Sequence, residues 1–193
     1  MTGNRLEILQ VGHPILRQPS RPVDPGEIAN PAVQTFIDEL VVTMRAAHGA
    51  GLAANQVGRL QQICAIEVDH NPRYPYKPPI PLTILVNPVL TPLSDDLFEN
   101  NEGCLSVPNL RGNVRRYTEL RVQALDRHGR ELDCVVVGLS AGTFQHECDH
   151  LAGKLFLDRV TDPTTFATWD GFVRYQRDDY LRRVTELVAR YGS

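Results

Sequence analysis

Residues 145–150 read Gln145-His146-Glu147-Cys148-Asp149-His150. A helix is predicted across them, roughly Ala141 to Leu151. No proline interrupts the chain from Asn109 to Asp162, and Gly153 offers a helix end. On a helix, residues four apart lie about 40° apart around the axis and roughly 6 Å apart along it. His146 and His150 can therefore turn both imidazoles toward one metal ion. Glu147 projects about 100° from His146. It stands beside such an ion, where a general base for water belongs.

Two histidines do not complete a catalytic metal site, which usually has three protein ligands and an open position. Downstream, the longer zinc-protease pattern would end on Phe156, which cannot ligate. Glu186 lies in an arginine-rich segment and reads as a solvated charge. Upstream, Glu102-Gly103-Cys104-Leu105-Ser106 offers Cys104. A thiolate with two imidazoles suits Zn(II) or Fe(II), although Cys104 taken alone would read as an ordinary buried thiol. A third segment, Gly49-Ala50-Gly51-Leu52-Ala53-Ala54-Asn55-Gln56, brings small residues and one amide donor, Gln56. By itself it reads equally as a helix stop and a tight turn.

Around these motifs the chain reads as α+β. Residues 1–29 carry Pro14, Pro19, Pro22 and Pro25 and read as an extended surface segment. Asn30-Pro31 starts a helix whose apolar face is Val33, Phe36, Ile37, Leu40, Val41 and Met44, with Gly49 and Gly51 expected to end it. Strands are expected over 63–68 and 83–90. Between them, residues 70–82 hold five prolines and read as an exposed, semi-rigid connector. Strands over 120–125 and 131–137 flank Arg127-His128-Gly129-Arg130, a hairpin signal. A C-terminal amphipathic helix is expected within 171–193, with Arg174, Arg177, Arg182, Arg183 and Arg190 on its polar side.

The length, 193 residues, suits a single domain. A net charge of −3 argues against a sequence-specific nucleic-acid binder, and 42% hydrophobic residues argue against disorder. No apolar run reaches the ~20 residues of a membrane span, and Met1 to Gln10 lacks the order of a signal peptide. The expectation is a soluble, cytoplasmic protein. Four cysteines leave disulfide, thiol and metal roles open; Cys64 and Cys134 read as core thiols, and Cys148 as a spacer facing away from the metal.

Taken in chain order, residues 49–56, 102–106 and 145–150 resemble the peptide deformylase family, as does the stretch from Gln10 to Val23. The resemblance implies a deformylase-type α+β fold, the motif helix packed among antiparallel sheets, with 1–193 as one catalytic domain. It implies removal of the formyl group from N-formyl-methionyl peptides. Cys104, His146 and His150 would hold one divalent ion, Fe(II) or Zn(II), and Glu147 would be the acid/base. Gln56 and the Leu105 N–H would bind the oxyanion. Gly51 would let the substrate backbone approach, and Asp149 would help orient the site. Leu105, Leu139 and His146 would wall an apolar methionine pocket, framed by Glu102 and Arg111, with the peptide backbone pairing along a strand edge. Gly142 and Thr143 depart from the bulkier apolar residues expected there. The terminal arginines are a solvated face or, since the substrate would emerge from the ribosome, a ribosomal contact. Two other classes compete. A zinc endopeptidase would cleave internal peptide bonds, but it needs a ligand this chain lacks downstream. A metal-stabilised binding module would have no use for Glu147.

Overall fold

The computed structural model describes residues 3–69 and 76–193. Helix α1 (Pro31–Ala46) begins as expected: the Asn30 side chain accepts from the Ala32 N–H at 2.9 Å, and Pro31 takes the first helical position. Its end differs from expectation. The left-handed residue is His48, with φ 52°, and the helix stops at Ala46. Gly49 and Gly51 serve space instead. A Cβ on Gly49 would lie 2.8 Å from Leu105 Cδ1.

Five antiparallel strands form the main sheet in the order β1-β2-β3-β6-β7: β1 (Gly51–Ala53), β2 (Ile63–Val68), β3 (Ile80–Pro92), β6 (Glu119–Leu125) and β7 (Glu131–Val137). Strand β2 explains the layering. Its sequence, ICAIEV, is apolar on both faces. Ile63 and Ala65 pack with α1, in the cluster of Ile37, Leu40 and Met44. Cys64 and Ile66 face the other way, onto Phe144 and Leu151 of α2 (Gly138–Leu151). Alternation along the strand thus sandwiches the sheet between α1 and the motif helix.

The second sheet is a hairpin of β4 (Leu97–Cys104) and β5 (Val107–Tyr117), turning at Leu105-Ser106. The sequence reading placed no strand here, because FENNEGC carries too many polar residues. Asn100, Asn101 and Glu102 are nonetheless buried, each holding a hydrogen bond to another buried group. Residues 70–75 of the proline-rich stretch lie outside the described residues. From Tyr76 onward it is no plain exposed connector: Lys77 reaches Thr143 on α2, and β3 already begins at Ile80.

The motif helix starts at Gly138, with φ 58°, three residues before the expected start, and Gly153, with φ 72°, ends it as expected. The C-terminal helix is two helices, α3 (Trp169–Tyr175) and α4 (Arg177–Tyr191). Tyr180 and Val184 are buried against Phe98, Leu139 and Phe172. Cys64 is buried as expected. Cys134 is exposed, because β7 is the edge strand of the sheet and turns most of its side chains outward. Among the described residues no helix is long and apolar enough to cross a membrane.

Candidate metal centre

Three elements converge on one cleft: β1 with the short helical turn Ala54–Val57, the β4–β5 hairpin, and α2. It encloses about 520 Å³, counting space open to solvent. The ligand atoms of Cys104, His146 and His150 lie within 4.8 Å of one another. Cys104 Sγ is 3.3 Å from His150 Nε2. Helical spacing brings the two histidines together, and the hairpin turn delivers the thiol.

The ligands are held from behind. His146 Nδ1 is 2.8 Å from Glu102 Oε2, which leaves Nε2 for the ion. Arg116 donates to both Glu102 oxygens, at 2.8 and 2.9 Å, and to Asp149 at 2.6 Å. Arg159 grips Asp149 in turn, at 2.5 and 3.1 Å. The chain Arg159–Asp149–Arg116–Glu102–His146 fixes the imidazole. Burial alone would raise the Glu102 carboxyl, but Arg116 and His146 hold it well below the usual carboxylate range. Burial and the neighbouring His146 push His150 well below the usual histidine range, so it stays the neutral donor a metal requires. At His146 burial works downward too, but the Cys104 sulfur and Glu102 carry the ring upward: this is a place that favours positive charge. The donor set therefore fits a divalent cation.

Glu147 stands beside the ligands and is buried. Its Oε2 has no hydrogen-bond partner among the described residues, and burial pushes the carboxyl up to about 7. Gly51 lies directly against it. A Cβ there would come within 2.4 Å of Glu147 Cδ. The glycine thus makes room for the carboxylate, a closer constraint than the substrate approach expected for it. The Ala53 N–H donates to Gln56 Oε1 at 2.8 Å, which fixes the amide plane. Its Nε2 then points to Ser106 Oγ at 3.0 Å and Cys104 Sγ at 3.5 Å. Leu105 occupies the hairpin turn next to Cys104 and also lines the cleft.

A family model described as polypeptide deformylase matches residues 5–166. The chain belongs to that family. Peptide deformylase 1 of Nitrosomonas europaea is 45% identical over 163 residues, 84% of this chain and 92% of that one. A peptide deformylase of Leptospira biflexa is 42% identical, covering 83% of this chain and 90% of its own. Among solved structures, the Met-Ala-Ser-bound class I type b peptide deformylase of Acinetobacter baumannii has a TM-score of 0.79 at 33% identity, over 82% of this chain and all of that one. The actinonin complex from Synechococcus elongatus has a TM-score of 0.74 at 29% identity, over all of this chain and 91% of its own. The deformylase-type α+β fold expected from the sequence is the fold observed.

Other expected residues fall differently within this deformylase. Glu102 and Arg111 line the cleft, but the Glu102 carboxylate is engaged with Arg116 and His146. Arg111 is fully buried. It donates to Asn101 Oδ1 at 2.7 Å and lies over Trp169 and Phe172 at 4.3 and 4.6 Å. Leu139 does not line the cleft; it packs behind it against Phe98 and Tyr180. The cleft lining is mixed, with Lys77, Asn100 and Thr143 beside Ala50, Leu105 and the glycines, where an apolar pocket was expected. Lys77 and Asn100 were missed as lining residues, because neither carries a motif and Lys77 comes from the proline-rich stretch read as a connector. Phe156, excluded as a ligand, stacks on His146 with centroids 6.5 Å apart.

Proposed function

We propose that Glu147 is the general acid/base of formyl hydrolysis, with Gln56 Nε2 and the Leu105 N–H as oxyanion donors and Cys104, His146 and His150 as the metal ligands. The enzyme is a metal-dependent hydrolase of the deformylase family and removes the formyl group of N-formyl-methionyl nascent polypeptides, releasing formate. The observation that carries the residue assignment is the buried Glu147 carboxylate, unpartnered at Oε2, beside the Cys104–His146–His150 cluster.

A divalent ion held there would supply Lewis acidity, lowering the pKa of water towards ~7. Glu147 accepts the proton of the attacking water, its carboxyl matched to neutral pH by burial. As the formyl carbon becomes tetrahedral, Gln56 and the Leu105 N–H donate to the developing oxyanion. Glu147 then returns the proton to the departing amine. The substrate backbone runs along the cleft edge of β1, the terminal strand of the sheet, whose Gly51 lines the cleft with Gly49 and Ala50. Fe(II) is the ion we assign in the cell, with Zn(II) or another divalent ion able to take its place. The thiolate ligand requires a reducing compartment, which supports a cytoplasmic location.

Residues 1–193 form one catalytic domain in this reading, since Tyr180 and Val184 of α4 are part of the core. The exposed Arg177, Arg182 and Arg190 of α4 support a ribosomal contact. Charge reversal at these three positions tests it better than deletion, which would uncover the core. Salt-sensitive ribosome co-sedimentation should disappear in the variant, and unchanged co-sedimentation would remove the contact. The central test is anaerobic purification with metal analysis, joined to formate release from a formyl-Met peptide by wild type and Glu147→Gln. Near-normal turnover with Glu147→Gln would remove Glu147 as the base.

A further inference from the structure

The two imidazoles of the metal centre are supported unequally. His146 Nδ1 faces the Glu102 carboxylate at 2.8 Å. His150 is 1% exposed, yet its Nδ1 has no hydrogen-bond partner among the described residues. Its Nε2 lies 3.3 Å from Cys104 Sγ, on the side of the ligand cluster. With Nε2 turned to the cluster, the neutral ring carries its proton on Nδ1, which is then a buried donor.

The matching acceptor lies on Asn55. This residue is fully buried in the short turn Ala54–Val57, directly before Gln56. Its Nδ2 donates to the His150 carbonyl, which also accepts from the Gly153 N–H at 2.9 Å. That carbonyl fixes which way the amide points, since the flipped amide would set oxygen against oxygen. Oδ1 is the atom left over, and it too has no partner among the described residues. Two residues already joined by one hydrogen bond thus hold one orphaned donor and one orphaned acceptor. Each is costly to leave unpaired in the interior, and pairing them, directly or through one bridging water, removes both costs together.

We infer that Asn55 is the positioning residue of His150. Its Nδ2 clamps the last turn of α2, and its Oδ1 receives the Nδ1 proton of the ring, which aims Nε2 at the ion. Asn55 thereby ties one metal ligand to the turn that carries Gln56. The inference rests on the ligand set proposed above and adds the support that His150 lacks on its Nδ1 side.

The test reads the zinc affinity of the purified enzyme by competition with a chelating dye, beside the thermal melt of the metal-free protein. Asn55→Leu keeps the size of the side chain and removes both hydrogen bonds. It should weaken zinc binding about tenfold to a hundredfold. Asn55→Asp keeps an acceptor and gives up the amide donor. It should bind zinc as tightly as wild type or more tightly, although the metal-free protein melts lower in both variants. A merely structural role would lower both melts without separating the two variants in zinc affinity. Wild-type affinity in Asn55→Leu, or an equal loss in both variants, would therefore overturn the inference and leave the ligand set standing. A measurement on wild type covers a variant that fails to fold. In zinc-loaded enzyme with isotope-labelled histidine, magnetic resonance should find a proton on His150 Nδ1 that is protected from exchange. An unprotonated Nδ1, or a proton that exchanges as freely as that of an exposed histidine, would also overturn it. Wild type that holds no zinc would overturn the ligand set and the inference together.

Discussion

The two ends of the cleft are built on different principles. At the metal end, His146, Glu147 and His150 come from consecutive turns of one helix, and Cys104 from a single hairpin turn. At the far end, Lys77, Asn100, Thr143 and the supporting Tyr180 come from four separate elements. The metal end is constrained by chemistry: an ion requires donors at set distances, and its imidazole must be fixed from behind. The far end is held by packing and hydrogen bonds alone, which many residue combinations satisfy. The metal end is therefore carried by local spacing, and the far end by long-range packing.

The largest effect should come from the ligand set. Cys104→Ser should lose the tightly held ion and with it nearly all turnover, as read by metal analysis and formate release. Retention of one ion per chain would take Cys104 out of the set and break the contrast at its strongest point. Next, Glu147→Gln should lower kcat by about 10²–10⁴ with metal content unchanged. Gln56→Ala should cost about 10²–10³ in kcat if the amide meets the oxyanion, and a change confined to KM would reassign it to substrate binding.

Gly51→Ala tests packing within the metal end. Its methyl group would meet Glu147 at 2.4 Å. The displaced carboxylate should cost roughly 10²-fold in kcat while the ion is kept. Full activity would show that the strand yields instead. The smallest effect belongs to the far end. Tyr180→Phe removes the donor to Asn100 and should destabilise the protein by about 1–3 kcal/mol. It should leave metal content intact and alter substrate preference more than kcat toward any one peptide. A thermal melt with a parallel peptide panel would check it, and a loss of metal in this variant would show that the two ends are not independent.

The legibility of the fold follows the same division. Helix α1 was readable because its apolar period and its Asn-Pro start are local features. Strand β2 was readable from an apolar run, and the β6–β7 hairpin from its turn. Strands β4 and β5 were not, since Asn100, Asn101 and Glu102 look like surface residues until Arg111 and Arg116 of the facing strand and Tyr180 of α4 pack against them. Leu139 was misplaced as a pocket wall for a related reason. Its position on α2 could be counted, but which groups would face that position could not.

The sequence by itself determined that His146 and His150 share one helix face with Glu147 beside them, because helical geometry turns spacing into shared direction, and its motif order places the chain among deformylases. It also marked β2 as a strand, through its apolar run. Only the tertiary structure decided that Glu102 supports His146, that Gly51 makes room for Glu147, and that a lysine from the proline-rich stretch enters the cleft. Each of these is a contact between residues at least 44 positions apart in the chain. Such contacts depend on how whole elements pack, and no local pattern encodes them.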